Sequence, residues 1–127
     1  MIVDTSAIIA ILRAERDWQD LKRTLLAARD VRISAGTVIE LRMVAEPRDE
    51  WVHFEELCDE IAFEIIPVDA RQVDLAHEGF RRFGKGRHPA RLNFGDLFAY
   101  ALARALDEPL LYVGTDFGLT DVRSAVA

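Results

Sequence analysis

A repeated alternation constrains this chain more than any other feature. Short β-prone apolar runs close on a polar residue and give way to segments whose apolar side chains fall three and four apart. Residues 1–3 close on Asp4, and helical spacing follows over 6–13. A second helix starts at Asp17, with Trp18, Leu21, Leu25 and Ala28 along one face. Residues 31–34 read as the next strand, and Gly36 opens a helix that must stop ahead of Pro47. Residues 48–62 repeat the helical spacing with Trp51, Phe54, Cys58 and Ile61. The run 63–68 is strongly β, with Pro67 near its end, where a lost donor is tolerable. Helices are expected over 69–83 and 93–106, separated by a glycine-containing loop at 84–91. A strand at 110–113 follows, and the tail offers a short edge strand near Val122. Strands joined through helices need crossover connections, so the pattern predicts a three-layer α/β/α domain with a mainly parallel central sheet.

At 127 residues the chain suits one domain spanning 1–127. Its apolar runs, such as 7–12, are too short to span a bilayer, and Asp4 interrupts any secretion signal. The single cysteine, Cys58, excludes an internal disulfide and a cysteine-based zinc site. The expectation is a soluble cytoplasmic protein without membrane contact. Among the basic residues Arg outnumbers Lys 14 to 2. Arg suits phosphate recognition, but a GC-rich coding genome gives the same bias and carries more weight.

In parallel α/β sheets, sites form beyond the carboxyl ends of the strands. Four acids fall near that rim. Asp4 ends the first strand and Asp116 follows the last, while Glu40 and Asp96 lie early in the helices after residues 34 and 93. Each has a structural alternative: Asp4 or Thr5 as a helix cap, Asp116 as a turn former, Asp96 as the acid of a capping box begun by Asn93. Glu40 is harder to explain away, because Val38, Ile39, Leu41, Met43, Val44 and Ala45 make its helix apolar on nearly every face. Converging carboxylates repel one another unless a cation neutralises them. Hard oxygen donors without histidine or cysteine suit Mg²⁺ or Mn²⁺ rather than zinc. Such ions bind phosphate oxygens and activate water, which is the chemistry of phosphodiester hydrolysis.

The opening Met-Ile-Val-Asp-Thr-Ser-Ala, Glu40 within Val-Ile-Glu-Leu, the segment from Asn93 to Ala101, and Leu-Tyr-Val-Gly-Thr-Asp-Phe at 111–117 resemble the motifs of PIN-domain ribonucleases. As a set they resemble the VapC toxins of bacterial toxin–antitoxin pairs, over essentially the whole chain. The resemblance implies that Asp4, Glu40, Asp96 and Asp116 are the metal-binding and catalytic acids. It matches Thr5, Ser6 and Thr115 to small polar residues that position ligands or waters, Thr115 standing where relatives often carry Asn. Asp121 matches a further acid of variable role. The family implies Mg²⁺- or Mn²⁺-dependent endoribonuclease cleavage, a cognate VapB-type antitoxin, an RNA substrate and a toxin homodimer.

An acidic nuclease needs local positive charge to hold RNA. Arg81, Arg82, Lys85, Arg87 and Arg91 fall within an acid-free stretch, and Gly84 and Gly86 allow the backbone to approach a phosphate. Trp18, Trp51, Phe54, Phe80 and Phe83 sit at helical core spacing and read as packing or interface. The histidines His53, His77 and His88 are isolated and are not expected to bind metal. A receiver domain is rejected because Asp4 stands alone and the only lysines are Lys22 and Lys85. A dinucleotide binder is rejected because Gly84 and Gly86 follow a helix, not a strand. The remaining alternative is a PIN-like protein that binds RNA or a partner without cutting. Four like charges kept together argue against it.

Overall fold

The computed structural model describes residues 1–126. Four strands, β1 (Ile2–Val3), β2 (Val31–Ser34), β3 (Phe63–Ile66) and β4 (Leu110–Leu111), form one sheet in the order β3-β2-β1-β4. Every pairing is parallel, with Ile2 opposite Leu110, Val3 opposite Leu111, and Val31 opposite Phe63. The helices are α1 (Thr5–Leu12), α2 (Trp18–Ala27), α3 (Ala35–Ala45), α4 (Trp51–Glu60), α5 (Ala70–Phe83) and α6 (Phe94–Leu106). The parallel sheet and the α/β alternation match the sequence reading.

Strand alternation divides the core into two layers. Val3, Ile33 and Leu111 face a cluster with Ala7, Ile8, Ile11, Leu25, Leu41, Phe54 and Leu57, drawn from α1 to α4. Ile2 and Leu110 point the other way, into Phe83, Leu92, Ala99, Tyr100, Leu102 and Phe117. Two helical layers thus enclose the sheet, and its hydrophobic strands are buried on both faces at β1 and β4. β3 is an edge strand, and Glu64 and Ile65 on it are exposed. Among the described residues, no helix is long and apolar enough to cross a membrane.

The differences from the sequence pattern have local causes. α3 gives way to a 3₁₀ turn, Glu46–Arg48, that contains Pro47, and Asp49 is left-handed at φ 54°, so α4 begins at Trp51 rather than near residue 48. β4 stops at Leu111 because the Val113 N–H donates to the Ser6 hydroxyl, 3.0 Å away, instead of to a neighbouring strand. The expected tail strand is a single bridge between Leu110 and Ser124, supported by Leu110 N–H to Arg123 O and Ala125 N–H to Leu110 O, each 2.9 Å. The 84–91 loop is closed by a Gly84–Leu92 bridge, and its His88 accepts the Ala90 N–H at 3.0 Å, a shaping role rather than a metal-binding one.

Candidate active site

Asp4 follows β1 directly, at the carboxyl end of the sheet, where its N–H donates to Leu111 O at 3.0 Å. It caps α1: Oδ2 accepts the Ser6 N–H at 3.0 Å and the Ser6 hydroxyl at 2.6 Å. Ser6 in turn accepts from Val113, so one hydroxyl links Asp4 to the chain leaving β4. The other carboxylate oxygen, Oδ1, is buried and has no hydrogen-bond partner among the described residues. Capping and membership of an acidic site are therefore not alternatives for Asp4; one oxygen serves each.

Glu40 projects from α3, whose N-terminus is capped by Ser34 accepting the Gly36 N–H at 3.2 Å. The Thr5 hydroxyl donates to Glu40 Oε1, tying α1 to α3. Asp96 stands in the first turn of α6, where Asn93 and Asp96 form a complete capping box with both bonds at 2.9 Å. Two glycines set the approach of α3 to α6. A Cβ at Gly36 would collide with the Phe98 ring, and a Cβ at Gly95 would collide with the Glu40 carboxylate. Glu40 therefore lies against the first turn of α6, where the helix dipole favours an anion. The motif reading passed over Gly95, although a glycine in the first turn of an otherwise good helix, beside a motif acid, is a visible signal.

The electrostatics tie these acids together. Burial pushes the Asp4 carboxyl up to about 6, against the lowering effect of its Ser6 bonds, and the negative charges of Asp96 and Glu40 push the same way as burial. Asp96 is also raised, first by burial and then by Glu40 and Asp116, while its bond to Asn93 opposes the shift. No basic side chain figures among the causes of either shift. Asp116 begins the 3₁₀ turn Phe117–Leu119, whose Phe117 is buried beside Tyr112 at 5.3 Å between ring centroids. Asp4, Glu40 and Asp96 thus bear on one another's charge, and Asp116 bears on that of Asp96.

The donor set fits a hard divalent cation. A buried carboxylate oxygen lacks a partner, the neighbouring charges are all negative, and the available ligands are oxygens. Among the described residues, no three acidic, histidine or cysteine side chains are already gathered into a ligand cage. Three of the acids spend an oxygen on protein donors: Asp4 on Ser6, Glu40 on Thr5 and Asp96 on Asn93.

Three sequence expectations are revised. Asp121 does not join the acids: it accepts from the Tyr100 hydroxyl at 2.9 Å, from Arg104 at 2.8 Å and from Arg82 at 3.1 Å. Arg82 is therefore committed to Asp121 and to Glu78, 3.3 Å away, and leaves the proposed basic strip. Thr115 is exposed, whereas Thr5 and Ser6 make the contacts to the acids. Arg81, Lys85, Arg87 and Arg91 are exposed, with Arg87 lying 4.8 Å over the Phe80 ring.

Fold and site together define an α/β/α domain with acids at the carboxyl rim of a parallel sheet. The family model described as the PIN domain matches residues 1–122. Ribonuclease VapC42 of Mycobacterium tuberculosis is 43% identical over 129 residues, covering 98% of each chain. Ribonuclease VapC28 of the same organism is 45% identical over 130 residues, covering 99% of this chain and 98% of its own. The chain belongs to the PIN-domain family, within its VapC ribonucleases. Solved structures share the fold: Mycobacterium tuberculosis VapC20, a sarcin-ricin loop cleaving toxin, aligns with TM-score 0.72 and 22% identity over 96% of this chain and 98% of that one. A toxin–antitoxin complex from Klebsiella pneumoniae aligns with TM-score 0.71 and 20% identity over 98% and 96% of the two chains.

Proposed function

We propose that this chain is a Mg²⁺- or Mn²⁺-dependent endoribonuclease, the toxin of a type II toxin–antitoxin pair, that hydrolyses RNA phosphodiester bonds with water. The observation that carries the reading is Asp4: a buried acid at the end of β1 with an unpartnered oxygen and two acidic neighbours. Asp4, Glu40, Asp96 and Asp116 are the residues that would hold the ion. A divalent cation bound there supplies positive charge against the phosphate and makes a nearby water more acidic. Ser6 fixes Asp4 through Oδ2 and leaves Oδ1 without a protein partner. Thr5 fixes Glu40, and the Asn93 capping box fixes Asp96. One of these carboxylates also orients the attacking water and takes its proton. Arg81, Lys85, Arg87 and Arg91 hold the RNA backbone, and Arg91 comes just before the α6 cap that carries Asp96.

RNA as substrate is supported by the VapC ribonucleases to which the chain is similar. A VapB-type antitoxin is supported by fold neighbours solved as toxin–antitoxin assemblies, including VapBC2 of Rickettsia felis. Homodimerisation is supported by an apolar face over α3 and α6, on which Phe94 is 78% exposed, Met43 71% and Ile39 61%. Side chains of that size are rarely left together in water. The test is cleavage of total cellular RNA by purified protein with Mg²⁺, with Mn²⁺ and with EDTA, alongside Asp4→Asn. Discrete cuts that disappear with EDTA and in the variant are expected. No cuts by folded, antitoxin-free protein in either metal would count for the non-cutting binder instead.

A further inference from the structure

The cluster around Asp121 lies apart from the four acids, yet its members belong to the elements that carry two of them, Asp96 and Asp116. Helix α6 carries Asp96, Tyr100 and Arg104 one turn apart, on one face. Asp96 is one of the four acids, and Tyr100 and Arg104 both bond to Asp121. Arg104 also donates to the Tyr100 hydroxyl at 2.9 Å, and Arg82 reaches the same carboxylate from α5. Three parts of the chain therefore meet on one carboxylate: α5, α6 and the segment that follows β4.

That segment carries Asp116. It leaves the sheet after Leu111, is anchored inward by buried Phe117, and returns beside Leu110 at Ser124. Between Phe117 and the return bridge it is tied to α6 by the Asp121 carboxylate, with Val122 packed against the same core cluster and Arg123 donating to the backbone oxygen of Asp107 at the helix's C-cap. Asp116 in turn bears on the charge of Asp96, at the other end of the same helical row. The segment is thus joined to α6 at the Asp121 clasp, on the same helix that carries Asp96 one turn before Tyr100. Tyr100, fully buried, has its hydroxyl satisfied by this clasp.

We propose that Asp121 is a positioning residue: by clasping the post-β4 segment to Tyr100 and Arg104, it sets the place of Asp116 against Asp96. The inference rests on the nuclease reading of the four acids. It makes Asp121 a support of the cation site from outside, and it explains why an acid close to the site in sequence stands apart from it in space. Partners that orient ligands in this way change metal affinity or activity by about 10–100-fold when removed.

The test compares wild-type protein with Asp121→Ala, Asp121→Asn and Tyr100→Phe, after metal removal and with far-UV circular dichroism as the check of folding. Mn²⁺ alone is the probe, its binding read by electron paramagnetic resonance. Turnover of an RNA the wild type cuts is then measured with KM and kcat separated. The expected result is Mn²⁺ affinity and kcat each about 10-fold lower in Asp121→Ala, with KM unchanged. Asp121→Asn keeps an acceptor for Tyr100 and should fall between, and the Asp121→Ala, Tyr100→Phe double variant should be no worse than Asp121→Ala. Should Asp121→Ala not fold, Asp121→Asn and Tyr100→Phe carry the comparison. Variants of lowered thermal stability but wild-type Mn²⁺ affinity and kcat would overturn the proposal and leave Asp121 a purely structural tie. Wild-type protein that binds no Mn²⁺ and cuts no RNA would overturn the nuclease reading itself, and the inference with it.

Discussion

Asp4→Asn should make the metal-free protein more stable while abolishing its activity, and the size of the gain follows from the structure. The Asp4 carboxyl, at 3.8 in an unperturbed chain, is pushed up to about 6 in the folded protein, burial being the main cause. The folded state therefore holds this proton more tightly than the unfolded state. Stability from the protonated carboxyl is fully present below pH 3.8 and is lost as pH rises through about 6. The gap between the two values corresponds to about 3 kcal/mol by pH 7.5. Asn cannot ionise but keeps an acceptor for the Ser6 N–H and hydroxyl. The variant should thus gain up to about 3 kcal/mol in EDTA at pH 7.5, or about 10 °C in Tm for a chain of this size. The advantage should shrink to nothing by about pH 4. Thermal unfolding from pH 4 to 8 in EDTA, followed by circular dichroism, measures it. An Asp4→Asn protein no more stable than wild type at pH 7.5, or a difference that ignores pH, would refute the argument. Adding Mg²⁺ should narrow the gap by stabilising the wild type alone.

Other substitutions probe other parts of the account. Gly95→Ala places a methyl group where the Glu40 carboxylate lies, so kcat should drop about 10-fold or more while the helix itself is not weakened; kinetics and unfolding on one preparation separate the two effects. Replacing Arg87 and Arg91 together by Ala should weaken RNA binding at low salt and flatten the salt dependence of log K by roughly 2, read by fluorescence anisotropy; unchanged binding would remove the basic strip from the account. Met43→Glu with Phe94→Glu should convert a dimer to a monomer in sedimentation experiments, since both side chains are largely exposed on the apolar face beside Glu40; a wild-type monomer would refute that assembly.

Periodicity alone revealed most of the architecture. Alternating strand and helix signals placed all four strands and the helices, because each buries one stripe or both faces in a way a linear pattern records. The acids were legible for the same reason: Asp4 and Asp116 follow strands, and Glu40 and Asp96 sit early in helices, so a parallel sheet brings them to one rim. Bonds that join distant residues left no such trace. Nothing in the run 110–113 shows that Val113 will spend its N–H on Ser6 and end β4 early. Arg82 read as part of a basic strip although Glu78 stands four residues before it on the same helix; its other partner, Asp121, is visible only once α5 packs beside the tail. Asp121 matched a family acid of variable role, and its bonds to Tyr100, Arg104 and Arg82 exist only once the tail packs against α5 and α6. Gly95 was hidden differently: its importance is the absence of a side chain where Glu40 needs room.

The central claim is that four acids and a divalent cation direct water, rather than the RNA's own 2′-hydroxyl, against the phosphate. The chemistry of the new RNA ends tests it most directly. RNA cut by the wild-type protein in Mg²⁺ and analysed by mass spectrometry should carry a free hydroxyl on one side and a simple phosphate monoester on the other, with no cutting in EDTA. Ends bearing 2′,3′-cyclic phosphate, formed equally in EDTA and absent from a mock preparation, would contradict the account, because 2′-hydroxyl attack needs neither these acids nor a metal.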